Sequence, residues 1–122
     1  MVWYQDELCP VATKEEIKQT KSLLSRYRRQ LAILAELDQI GDLAPKQQKV
    51  YNAYRMATAE IERAARLIVD EEIRRAIEYR YIKGHRHKLT VLHFSHMDPS
   101  TVDRRINKGI ESVANSLKLL GQ

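Results

Sequence analysis

A single cysteine, Cys9, is all the thiol this sequence carries, which rules out an intramolecular disulfide and a cysteine-based zinc site. Such sparing use of cysteine fits a reducing, intracellular setting. Proline and glycine are scarce too, at three and four residues, and phenylalanine and tryptophan occur once each, so the composition leans toward helix rather than sheet. No apolar run approaches the roughly 20 residues of a membrane span. The opening MVWYQDEL has acids where a secretory leader carries Lys or Arg, so the expectation is a cytoplasmic protein with no membrane partner. A glycine-rich phosphate loop, a nucleophile elbow and a zinc-protease signature are all missing. The acids adjacent in sequence, Glu15 with Glu16 and Glu71 with Glu72, suit the first turns of helices, where successive side chains point apart. The reading is of a non-enzymatic chain that needs no cofactor.

What the chain does carry is charge, 30% of its 122 residues, with a net +5 that points toward a polyanionic partner. The excess is uneven. From Arg74 to Lys108, Lys and Arg outnumber acids nine to three, whereas the first forty residues are balanced.

Hydrophobic periodicity outlines three helices before residue 84. Thr13 and Glu16 form a Thr-x-x-Glu capping box, which predicts a helix running to about Gln39, ahead of Gly41. Its stripe of Ile17, Thr20, Leu24, Tyr27, Leu31, Leu34 and Asp38 steps by three and four, as a heptad seam does. A turn around Gly41 to Pro45 leads into a second helix, from about Lys46 to Val69, with its own stripe of Val50, Tyr54, Ala57, Ile61, Ala64 and Ile68. So short a connection joins antiparallel neighbours. A third helix starts near Asp70 and ends at Gly84; a bend in place of a loop at Val69 would make the second and third one kinked rod.

Residues 85–97, HRHKLTVLHFSHM, suit either a strand or a short helix, and the helix is preferred because a lone strand has no partner. All four histidines lie here, and His93 and His96 would share a helical face. Imidazoles so spaced suit zinc, but no carboxylate lies between Gly84 and Met97, and the reading assigns no metal site.

Asp98 to Leu120 is the most informative stretch. Asp98 suits the cap, Pro99 the first turn and Gly121 the stop. Val102, Ile106, Gly109 or Ile110, Val113 and Leu117 form an inner face, and Ser100, Thr101, Asp103, Arg104, Asn107 and Lys108 face out. Val113, Leu117 and Leu120 are assigned to packing. A short helix, a turn at about His96 to Asp98 and this longer helix make a helix-turn-helix, whose second helix enters the major groove of double-stranded DNA. Ser100 and Thr101 suit phosphate or thymine, Arg104 guanine and Asn107 adenine. Asp103 and Lys108 on the same face, and Arg86, His87 and Lys88 flanking the reader, complete the expected DNA contacts, with Lys83, Arg86 and Lys88 as backbone clamps. Arg105, nearer the packed face, is expected to pair with Glu78 or Glu111 if not with DNA.

Ile77 to Gly84 (IEYRYIKG), followed by STVDRRINKGIESVANSL and preceded by the long helix with LLSRYR at Leu23 to Arg28, resembles the ArpU and RinA-like phage transcriptional regulators. These are similar to region four of sigma factors. Val91 and Met97 fall at apolar core positions of that pattern; Leu92 stands where a small residue is usual, Ser95 where leucine is, and His96 where the turn glycine is. The resemblance implies a phage or prophage regulator of late or packaging genes.

The expected fold is all-α: a long antiparallel helical hairpin over 1–69, then a helix-turn-helix DNA-binding domain, sigma region four-like, over 70–122. Partners are double-stranded DNA and either a second copy, joined through the N-terminal hairpin, or RNA polymerase. The alternative is a helical adaptor or structural phage protein that uses the hairpin for protein contact.

Overall fold

A computed structural model describes residues 8–121, all of whose regular structure is helical. Trp3 and Tyr4, whose apolar rings suit either docking on the helices or contact with a partner, lie outside the described residues.

Helix α1 spans Lys14–Ile40. Its capping box is formed in full: the Thr13 hydroxyl accepts the Glu16 N–H at 3.1 Å, and Glu16 Oε1 accepts the Thr13 N–H at 2.8 Å. Gly41, at a positive φ of 80°, ends the helix as its N–H donates to the Leu37 carbonyl. Helix α2, Pro45–Arg66, begins on its proline, where the missing N–H costs nothing. The two helices run in opposite directions side by side: the Tyr27 hydroxyl donates to Glu62 at 2.5 Å, and the Tyr51 hydroxyl donates to Asp38 at 2.7 Å. Burial, and then the Glu62 carboxylate, push the Tyr27 phenol well above its ordinary value.

Along α1 the buried positions are Thr20, Leu24, Tyr27, Gln30 and Leu37. Asp38, expected in the seam, is exposed; Leu37 takes the inward place and leaves the carboxylate in water, in reach of Tyr51. Helix α2 stops three residues short of the expected Val69, which is 96% exposed. The cause is the next cap. Asp70 Oδ1 accepts the N–H groups of Glu72 and Ile73, and this holds Asp70 extended at φ −73°, ψ 117°, so the chain must leave the helix before it. The second and third helices are therefore separate and do not form a kinked rod.

Helix α3, Glu71–Ile77, widens without a break into a π-helical turn over Glu78–Ile82, in which the Lys83 N–H reaches back five residues to the Glu78 carbonyl. Gly84, at φ 79°, turns the chain against Arg28 of α1, whose Cγ would lie 2.9 Å from any added Cβ. Helix α4, His87–His93, is short and settles the strand-or-helix choice in favour of the helix. It ends earlier than expected, so the turn begins at Phe94 rather than His96; Phe94 is half-buried and presents its ring edge-on to Tyr79, with centroids 5.8 Å apart. Leu92 and Ser95 are exposed, and Val91, Phe94 and Met97 supply the apolar contacts of this segment.

Helix α5, Pro99–Gly121, packs against α1, α2 and α3. Leu24 and Tyr27 of α1, Ile61 and Ala64 of α2, Ile77 of α3 and Val102, Ile106, Ile110 and Val113 of α5 belong to one buried cluster, which crosses the 69/70 boundary. Gly109 allows the closest approach, since a Cβ there would overlap the buried side chain of Ile77. Leu120 is exposed rather than packed, as is Leu119 beside it, so among the described residues burial along α5 ends before its last turn. The segment ahead of α1 crosses the second half of α5: the Ala12 N–H donates to Asn115 Oδ1 at 2.7 Å, and Lys118 donates to the Val11 carbonyl and to Glu16.

Candidate functional site

The leading turns of α5 are fixed from below by Val102 and Ile106, both buried. On the opposite side Ser100, Arg104 and Lys108, spaced by four, form one exposed stripe. Thr101 is half-buried at its margin. Asp103 and Asn107 are also exposed but lie one strip over, toward α1. At the start of the helix the Asp98 carbonyl accepts the N–H groups of Thr101 and Val102, and Ser100 is exposed at the open end.

Arg86 occupies the position before α4, where its carbonyl takes both the N–H and the hydroxyl of Thr90, a side chain with no solvent exposure. That bond seats α4 and leaves the side chains of Arg86, His87 and Lys88 exposed. His87 and Asp103, both nominated as DNA contacts, face each other: Nε2 of His87 lies 3.0 Å from Oδ1 of Asp103. Each side chain is about half exposed, so the pair is screened, and its role is to link the start of α4 to α5. Arg105 pairs with Glu72 at 2.6 Å, not with Glu78 or Glu111, because the close packing at Gly109 brings the first turn of α3 beside it.

Sequence reasoning missed one wall of this region. A hollow of about 410 Å³ lies between α1, the π turn, α4 and α5, lined by Lys21, Arg80, His87, Asp103 and Asn107 over a floor that includes Ile106 and Ile110. A second, of about 340 Å³, shares Lys21, Asn107 and Ile110 with it and is bounded by Lys14, Lys18 and Glu111. The two make one trough along α1. Its signal was in the sequence, since Lys14, Lys18 and Lys21 follow at steps of four and three, but the local charge balance hid them. Arg80 is held at the trough by a bond from Nη1 to the His85 carbonyl, 3.0 Å, and its guanidinium lies 4.8 Å from the Tyr81 ring centroid.

The histidines divide between two places. His87 joins the trough, whereas His85 and His93 stack on Tyr79, each with centroids 4.0 Å from it. His96 lies beyond the end of α4, so it does not share a helical face with His93. Among the described residues, no three His, Cys, Asp or Glu side chains come together as a metal site.

No known protein family, curated protein or solved structure matches this chain. The leading half of α5 offers one guanidinium, one ammonium and one hydroxyl on a rigid, open edge, flanked by Arg86 and Lys88 at the start of α4 and by a cationic trough on α1. Such a surface can bind an extended anion and present a planar two-pronged donor to it. Among the described residues no helix is long and apolar enough to cross a membrane.

Proposed function

We propose that this chain is a sequence-specific DNA-binding transcriptional regulator, built as a long antiparallel helical hairpin followed by a sigma region four-like helix-turn-helix. One observation carries the reading: α5 follows α4 after a short turn, buries Val102 and Ile106, and leaves Ser100, Arg104 and Lys108 as an open stripe on its first turns. In a helix-turn-helix these turns meet the base edges. Arg104 is assigned to a guanine, Ser100 and Thr101 to phosphate or thymine, and Lys108, Arg86 and Lys88 to the backbone. Asn107 reaches the groove from the trough side, and Asp103 and His87 brace the two helices against each other. No catalytic step and no cofactor belong to this reading.

The resemblance to ArpU and RinA-like regulators supports a phage or prophage promoter of late or packaging genes as the target. The second contact is a second copy through the hairpin or RNA polymerase, and the selected site distinguishes them, since a symmetric dimer selects paired half-sites about one helical turn apart. The test is selection from a random duplex pool at two salt concentrations. Enrichment of a defined sequence, with affinity falling steeply as salt rises, supports the proposal. A pool that stays random overturns it.

One observation favours a second reading, a helical adaptor or structural phage protein. At the tip of the α1–α2 pair an apolar hollow of about 200 Å³ is lined by Ile33, Leu37 and Val50, with the stems of Lys46 and Gln47 beside it. A chain that selects no DNA but captures a partner through this hollow, and loses it on Val50→Asp, is the adaptor.

A further inference from the structure

The trough between α1 and the leading half of α5 is not needed for a helix-turn-helix to read bases, yet it is the most cationic recess described. Lys14, Lys18 and Lys21 stand along one face of α1, at the spacing that stacks side chains over successive turns. Among the described residues no carboxylate oxygen lies within 4.0 Å of any of these three ammonium groups, whereas Lys118, also near the start of α1, is paired with Glu16. Arg80 adds a fourth cation at the mouth. The acids present are Asp103, engaged by His87, and Glu111, exposed on the far wall. The floor of Ile17, Ile106 and Ile110 is apolar, and a cationic recess over such a floor concentrates its field outward.

We infer that this trough is a second DNA-binding surface, in which Lys14, Lys18 and Lys21 hold the sugar-phosphate backbone of the duplex beside the segment that α5 reads. The inference rests on the DNA-binding reading and extends it to α1. A row of ammonium groups about 5 Å apart, one per helical turn, suits a linear polyanion. A compact anion needs donors that converge on a point, and these are strung along a line. Continuity selects the duplex already on α5: Asn107 belongs both to the leading turns of α5 and to the wall that faces Lys21. A duplex seated on Ser100, Arg104 and Lys108 therefore has its flanking backbone beside α1. These contacts carry no sequence information, since an ammonium on a phosphate is blind to the base.

The test compares the full chain with its K14Q/K18Q/K21Q variant on a duplex of random sequence, by fluorescence anisotropy over a range of salt. The slope of log K against log salt should become shallower by about 2 to 3, one counterion per lysine lost. Affinity for a selected duplex should fall by the same factor as for the random one. The K46Q/K49Q variant, changed at the opposite end of the helix pair, should keep the wild-type slope. An unchanged slope in the triple variant while the wild type binds duplex overturns this inference and leaves the DNA-binding reading standing. An equal loss in K46Q/K49Q also overturns it, because the effect is then net charge. A wild-type chain that binds no duplex overturns both. A slope change seen on single-stranded RNA but not on duplex overturns the assignment of the partner.

Discussion

Arg104 and Lys88 are both exposed cations near the leading edge of α5, and the proposed DNA-binding reading gives them different tasks. Arg104 lies between Ser100 and Lys108 on the open stripe of α5, where a planar fork can reach a base. Arg104→Ala should therefore cost about 1–3 kcal/mol on the selected duplex and little on a random one. Lys88→Ala should weaken both duplexes equally. Titration of both variants on both duplexes checks the pair, and equal losses from Arg104→Ala would remove its reading role. Gly109 is constrained from inside: a methyl group there meets buried Ile77, so Gly109→Ala should destabilise the fold by about 1–3 kcal/mol despite alanine's better helix propensity. The midpoint of urea unfolding measures it. The exposed residues on the leading turns of α5 could be nominated from periodicity, because burial there follows the helical repeat, whereas Leu120 at its far end could not. Pairings could not: that Arg105 meets Glu72 and Asp103 meets His87 depends on how α3 and α4 are rotated against α5, which no local pattern records.

Elements with a chemical start signal were legible to within a residue or two. Thr13 with Glu16, and Asp70 with the amides of Glu72 and Ile73, begin α1 and α3 where the side chains dictate. Ends and internal widening were not. Nothing in EYRYI marks a π turn, since the extra residue per turn is imposed by packing on both sides. The α1 start also carries a pH dependence. The Thr13 backbone N–H, and then Lys118, hold the Glu16 carboxyl below its ordinary value of 4.5. A lowered folded-state value contributes stability that is present above the ordinary value and is lost as pH falls through the folded one. Melting temperature should therefore drop on acidification below about pH 4.5, and Glu16→Gln should make that limb shallower. An acid limb of identical steepness in the variant would show that the cap and the Lys118 tether do not contribute.

Over the whole molecule, the division at residues 69 and 70 marks a turn between helices, and the buried cluster passes through it. Leu24, Tyr27 and Ile61 cover the same core that Ile77, Val102 and Val113 complete. Residues 70–122 made alone would expose that face of α5, so the fragment should show helical far-UV circular dichroism without a cooperative melt, whereas the full chain melts in one transition. A fragment that melts cooperatively would mean that residues 70–122 are a self-sufficient unit. Helix content and the order of elements could be read from periodicity; the sharing of one core could not, because stripes show that a face is buried without showing against what. For the same reason the trough on α1 escaped the sequence reading.

Helix α1 carries both the Lys21 wall of the trough and, at Leu37, the apolar hollow at the tip. Sixteen residues of unbroken helix separate them, a fixed distance of about 24 Å, or roughly seven base pairs of duplex rise. The helix is in effect a ruler. Anything docked at the tip would ride at a set offset from DNA held in the trough, and lengthening α1 between Arg28 and Ile33 together with the facing part of α2 would move it outward by about 5 Å per helical turn.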